Sequence, residues 1–222
     1  MNGFELIIFD CDGVLVDSER IANEVFARVL NDQFGFSLSL EDMYGKFVGH
    51  SSTQCMKIVE DMLGYPPPEE LEERYKSEIN SALAKEVVAV KGIKKTLEEI
   101  TIPYCVASSG SHEKMHTTLS KANLIGHFKN KRFSTSEVLN SKPSPDIFLH
   151  AAKTMDKTPA NKCLVIEDSP LGVRGGIAAG MTVFGFTELM KKHRLKQAGA
   201  HHLFDDMGNL ASEILNFERT AI

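Results

Sequence analysis

An α/β fold, a parallel sheet with helices on both faces and a helical segment inserted after the first strand, is predicted by two observations. Short continuous apolar runs at 6–9, 102–107 and 163–166 alternate with stretches of helical periodicity, the pattern of strands covered on both faces. About 70 residues after the first run are wholly helical, long for a simple crossover and enough for a small bundle. The 222 residues suit one large domain or a core with a smaller lobe. The expected boundaries are 1–16 with 88–222 for the core and 17–87 for the insert.

Leu6-Ile7-Ile8-Phe9 stops at Asp10-Cys11-Asp12-Gly13, where glycine permits a sharp turn. Ile21, Val25, Phe26, Val29, Leu30 and Phe34 then recur at helical spacing, with Asp17 or Ser18 as N-cap and Gly35 as stop. A second helix is expected over 53–63, and Pro66-Pro67-Pro68 separates it from an acidic helix over 69–84. A short helix over 92–99 leads to a strand over 102–107, interrupted early by Pro103 and ended by Ser108-Ser109-Gly110. Next come a helix over 113–122, a short strand at 132–134 and a helix from 144 to about 155 with proline in its first turn. The strand Cys163-Leu164-Val165-Ile166 ends at Glu167-Asp168-Ser169. The helix after it carries Gly172, Gly176 and Gly180, read as close packing against the sheet. Segments 182–185 and 202–204, with helices over 188–198 and 207–217, complete the layers.

Composition excludes several classes. With 42% hydrophobic and 25% charged residues the chain is neither disordered nor collagenous. A net charge of −5 leaves no electrostatic footprint for nucleic acid or anionic membrane, and no apolar stretch is long enough to span a bilayer. Cys11, Cys55, Cys105 and Cys163 are widely spaced without a CxxC, which reads as buried thiols in a reducing cytoplasm. The N-terminus lacks a basic n-region, in keeping with a cytoplasmic protein. The sequence leaves monomer and weak homodimer both open.

Three strands therefore end in polar signatures, and in an open parallel sheet such ends converge on one crevice. Asp10 and Asp12 sit one residue apart and repel, so a compensating cation is expected; oxygen donors beside phosphate call for Mg²⁺. Asp168, with Glu167 beside it, completes the acidic site from another strand end. Lys142, between a loop and a proline-started helix, suits a fixed cation touching a phosphoryl group and a carboxylate. Ser108, followed by the N–H groups of Ser109 and Gly110 ahead of a helix, suits phosphate oxygens. Asp10 then accepts a phosphoryl group as nucleophile, and Asp12 protonates the leaving alcohol and deprotonates the attacking water.

Asp10-Cys11-Asp12-Gly13-Val14-Leu15, Ser108, Lys142-Pro143 and Glu167-Asp168-Ser169 resemble the four motifs of the haloacid dehalogenase superfamily, over almost the whole chain. The resemblance implies a Rossmannoid core with a helical cap, and a phosphatase of the sugar-phosphate group, which includes the 6-phosphogluconate phosphatases, acting on a small phosphorylated metabolite. It gives Asp10 as nucleophile, Asp12 as acid/base, and Ser108 and Lys142 as phosphate binders. For Mg²⁺ it gives Asp10, the Asp12 carbonyl and Asp168, with Glu167 as a further candidate. True dehalogenases lack the acid equivalent to Asp12. Glu19, Arg20, Lys46 and His50 are candidates to face the substrate from the cap.

A β-phosphoglucomutase-like mutase is the alternative within the family, but Ala22 stands where the mutase cap histidine is expected. Val48-Gly49-His50-Ser51-Ser52 also lacks the mutase arginine. From another class, His112-Glu113-Lys114-Met115-His116 matches HExxH, the pattern of zinc metalloproteases, with His127 in a loop as the only third ligand to hand. That pattern is common by chance. A nonenzymatic interaction protein would keep the fold without needing both Asp10 and Asp12.

Overall fold

The computed structural model describes residues 3–48, 50 and 52–220. Met1 and Asn2 of the N-terminal reading, and Gly49 and Ser51 of the 48–52 segment, lie outside them. The chain divides into two compact units, Asp17–Val87 and the combination of Met1–Val16 with Val88–Ile222.

The smaller unit is helical: α1 (Ser18–Phe34), α2 (Leu40–Lys46), α3 (Ser52–Leu63) and α4 (Glu70–Glu86). Helix α1 ends at Gly35, whose φ of +71° is left-handed and whose amide returns to the Asn31 carbonyl. The Asn31 side chain brackets Leu38, accepting its N–H (2.8 Å) and donating to its carbonyl (3.1 Å), which fixes the turn into α2. Helix α2 is absent from the periodicity reading. It is set by a capping box, in which Ser39 Oγ accepts the Asp42 N–H and Asp42 Oδ2 accepts the Ser39 N–H. Phe26 of α1 packs on Phe47 and Tyr75, with ring centroids 5.2 and 4.9 Å away, and anchors this unit's core.

The larger unit holds β1 (Leu6–Phe9), β2 (Tyr104–Ser108), β3 (Arg132–Ser134), β4 (Cys163–Glu167), β5 (Thr182–Phe186) and β6 (His202–Phe204). They form one sheet in the order β3-β2-β1-β4-β5-β6 with every neighbouring pair parallel. Strands β1 and β4 are buried throughout, as continuous apolar runs in a doubly covered sheet should be. Helices α5 (Ile93–Glu99), α6 (His112–Lys121), α7 (Asp146–Thr154), α8 (Pro170–Ala178), α9 (Lys192–Ala198) and α10 (Leu210–Thr220) flank it. No described helix is long and apolar enough to cross a membrane.

Three local expectations change. Pro103 delays β2 to Tyr104, because proline has no N–H for the ladder. The helix expected over 188–198 shrinks to α9. Gly172 and Gly176 do pack closely, a Cβ on Gly176 coming 2.7 Å from Val183 Cγ2, but Gly180 lies beyond α8 with φ +73° and turns the chain instead.

Candidate active site

Strand β1 is the switch point of the sheet: β2 and β3 lie to one side of it and β4, β5 and β6 to the other. Ligands of open α/β sheets bind at the carboxyl ends of strands at such a point. Asp10, Ser108 and Glu167 stand there. The Asp10 amide donates to the Ile166 carbonyl (2.9 Å), continuing the ladder one residue past β1. The chain then turns tightly. The Leu15 and Val16 amides both donate to the Cys11 carbonyl, and Gly13 holds a φ of +76° that a side chain would resist.

Lys142 ties the strand ends together. Its Nζ lies 2.5 Å from Asp10 Oδ1, 2.7 Å from Glu167 Oε1 and 3.1 Å from the Ala107 carbonyl, with its side chain only 5% exposed. The preceding loop is folded on Asp146, which accepts from the Asn140 backbone N–H, Asn140 Nδ2 and Ser144 Oγ. Glu167 Oε2 accepts the backbone N–H (3.1 Å) and hydroxyl (2.9 Å) of Ser169, whose Oγ in turn caps α8 at Gly172. A Cβ on Gly172 would stand 1.7 Å from Glu167 Oε1, so the glycine makes the room that the carboxylate occupies.

The electrostatics are lopsided. Burial opposes the charge on Lys142, but Asp10 and Glu167 together outweigh it and hold the ammonium above the ordinary lysine range. Burial pushes Asp10 up from 3.8 to about 7; Lys142 resists, while Glu167 and Asp12 add to the rise. Burial, then Asp12 and Asp10, push the Cys11 thiol far up, which makes it an inert core group. Two buried carboxylates sharing one ammonium leave excess negative charge, and a second cation would relieve it. Carboxylate oxygens of Asp10, Glu167 and Asp168 all lie within 4.8 Å of one another, a hard-oxygen donor set that fits Mg²⁺.

Ser108 is fully buried, and its Oγ accepts the Gly110 N–H at 2.9 Å. This corrects the expectation of a free Gly110 amide. The start of α6 is likewise capped from within, Ser111 Oγ accepting the Lys114 N–H. From β3 and the turn after it, Ser134 Oγ donates to the Gly110 carbonyl (2.8 Å) and Thr135 Oγ1 to the Ser109 carbonyl (3.0 Å), holding the loop from below. Ser109 itself is exposed.

A further residue enters that no sequence pattern marks. Lys114, in the first turn of α6, sends its Nζ to 2.9 Å from Asp12 Oδ2, 102 residues away in sequence. No local spacing signals a pairing of that range.

Of the cap candidates, Glu19 and Arg20 lie in the first turn of α1, Lys46 ends α2 and His50 follows it. The Arg20 guanidinium is held by Asp17 (2.8 Å) and Glu24 (2.9 and 3.0 Å), and the Glu19 carbonyl accepts Asn23 Nδ2. Lys46 closes α2 and is exposed; His50 is exposed, with its N–H on the Phe47 carbonyl. The HExxH pattern separates as well. His112 Nε2 pairs with Glu137 at 3.0 Å, while His127 Nδ1 meets the Tyr104 hydroxyl at the opposite end of β2 from Ser108. Among the described residues only Asp10, Glu167 and Asp168 are grouped closely enough to hold a metal.

The sequence pattern of the haloacid dehalogenase-like hydrolases matches residues 7–186. This chain belongs to that family. It is a hydrolase of the superfamily, with a Rossmannoid core and an inserted helical cap. It is 35% identical to the 6-phosphogluconate phosphatase of Escherichia coli over 187 residues, 84% of each chain. A haloacid dehalogenase-like protein from Agrobacterium tumefaciens superposes with a TM-score of 0.90 at 35% identity, covering 97% of this chain and all of that one. A haloacid dehalogenase family hydrolase from Deinococcus radiodurans, solved with phosphate and sodium bound, gives a TM-score of 0.85 at 26% identity over 97% of each chain.

Proposed function

We propose that the chain is a Mg²⁺-dependent phosphomonoester hydrolase acting on a small phosphorylated metabolite, a sugar phosphate, through an aspartyl phosphate on Asp10. The observation that carries this is the Lys142 ammonium bridging Asp10 and Glu167 beside Asp168 at the switch point of the sheet. The phosphatase activity of the E. coli relative and the phosphate bound in the Deinococcus protein support it.

Asp10 and Asp168 would hold the ion with the backbone carbonyl of Asp12, and Glu167 stands in the same cluster. When bound, Mg²⁺ supplies positive charge against the crowded carboxylates and the phosphoryl oxygens. Asp10 Oδ attacks phosphorus as the ester P–O bond breaks. The bonding pair leaves on the alcohol oxygen, which takes the proton of the Asp12 carboxyl. Asp12, now a carboxylate, removes a proton from water; the water oxygen attacks phosphorus, releasing phosphate and regenerating Asp10. Lys142 stabilises charge on the phosphoryl oxygens from its fixed position, and Glu167 positions Lys142. Ser108 Oγ, already accepting from Gly110, has its O–H to offer a phosphoryl oxygen.

The test is hydrolysis of p-nitrophenyl phosphate and a panel of phosphosugars, 6-phosphogluconate included, by wild type and D10N with Mg²⁺ or with chelator. Activity that needs Mg²⁺ and vanishes in D10N is expected, with a sugar phosphate the best substrate. Equal rates in the two proteins would overturn the mechanism. A cycle of hexose phosphate interconversion dependent on a sugar bisphosphate would replace the hydrolase with the mutase.

A further inference from the structure

The two lysines of the core site differ in a way that assigns the second a role. Lys142 is enclosed by three oxygens and belongs to the reacting phosphoryl group. Lys114 is 36% exposed and meets Asp12, whose carboxylate is 21% exposed. Its stem is directed there. A Cβ on Gly110 would stand 3.2 Å from Lys114 Cδ, 3.3 Å from Ser108 Oγ and 3.7 Å from Asp12 Oδ2, so the glycine opens the path by which the lysine crosses the loop. An exposed lysine near a helix start ordinarily finds solvent or a carboxylate one turn away. This one reaches the acid in the loop after the neighbouring strand.

Resting on the hydrolase reading above, we propose that Lys114 is a specificity-determining residue: its ammonium binds a hydroxyl oxygen on the carbon next to the ester carbon. The preferred substrates are then polyol and sugar phosphates, and simple alkyl phosphates are poor ones. The step is geometric. Asp12 hands its proton to the leaving oxygen, so a cation 2.9 Å from Asp12 Oδ2 stands two hydrogen bonds, about 5 Å, from that oxygen. A vicinal hydroxyl on the leaving alcohol falls within that reach. Lys142 cannot read the alcohol, since it is buried on the side of Asp10 and Glu167.

The experiment compares kcat/KM for glycerol 3-phosphate and n-propyl phosphate, which share a carbon chain and differ in the hydroxyls, for wild type, K114M and K114R. Wild type should prefer glycerol 3-phosphate. The preference should fall about 10- to 100-fold in K114M, the scale of one lost charge-assisted hydrogen bond, chiefly through KM, and should recover in part in K114R. A ratio taken on one preparation is insensitive to its folded fraction. The proposal is overturned if wild type shows no preference, if K114M leaves the ratio unchanged, or if both substrates lose equally, which would make Lys114 a positioner of Asp12 alone. A wild type inactive on every phosphomonoester sinks the parent reading, and this one with it.

Discussion

The deep end of the core site and its rim solve the same problem, an acid beside a lysine, under different solvation. At the deep end Asp10, Lys142 and Glu167 are almost fully buried, and both carboxylate oxygens of Glu167 are engaged, Oε1 by Lys142 and Oε2 by Ser169. At the rim Asp12 and Lys114 remain partly in water. Buried charges must be paired and stay paired, so the deep end is a preorganised electrostatic frame. A solvated pair exchanges partners at low cost, so the rim is where a variable alcohol can be read.

The contrast is broken most severely by K142M. That change strands two buried carboxylates, and stability should fall by about 3–5 kcal/mol in urea titrations, with residual turnover down at least ~10²-fold. The next effect concerns pH. The folded-state value of Asp10, about 7, lies above its ordinary 3.8, so the folded protein keeps a proton that the unfolded chain releases in between. The Asp10 contribution to the stability of the metal-free protein, read as the difference between wild type and D10N, should therefore be greatest below pH 4 and decline by roughly 2–4 kcal/mol toward pH 7. The raised Lys142 contributes nothing to that window, because the stability it adds is lost only at strongly alkaline pH. Parallel melts of the two proteins across pH isolate the difference; curves that run parallel would contradict the burial of an unneutralised Asp10.

Two glycine substitutions separate the rigid end from the adaptable one. In G172A the new methyl meets a Glu167 carboxylate that Lys142 and Ser169 pin in place, and a loss of about 1–3 kcal/mol with impaired turnover is expected. In G110A the methyl meets Lys114 Cδ, which can swing aside. Stability should then change by less than about 0.5 kcal/mol, and the preference for glycerol 3-phosphate should weaken in the direction of K114M but by less. Reversal of this order would mean that the rim, not the deep end, is the rigid half.

What the sequence made legible were features with a local signal. Leu6–Phe9 ending at Asp10 is a buried strand meeting a polar group it cannot bury alone, and the same logic marks Ser108 and Glu167. The Ser39–Asp42 capping box was written in the chain, yet the short apolar content of α2 hid the helix from periodicity. Lys114 escaped for a different reason: its partner is 102 residues away, and only the sheet order makes them neighbours. The HExxH pattern fails as a metal site for the complementary reason. Its spacing is helical, but His112 turns to Glu137 and the third ligand it requires sits at the wrong end of β2. The Gly110 amide is taken by Ser108 Oγ, a two-residue hydrogen bond that composition does not distinguish from an open anion site.

Whether Asp10 carries the phosphoryl group is decided by a rapid acid quench of the Mg²⁺-loaded protein during turnover of p-nitrophenyl phosphate radiolabelled on phosphorus, followed by peptide mapping. Acid-stable, alkali-labile label is expected on the peptide carrying Asp10, and none in D10N. Burst release of p-nitrophenol with no label on the protein, or with label on another residue, would contradict it.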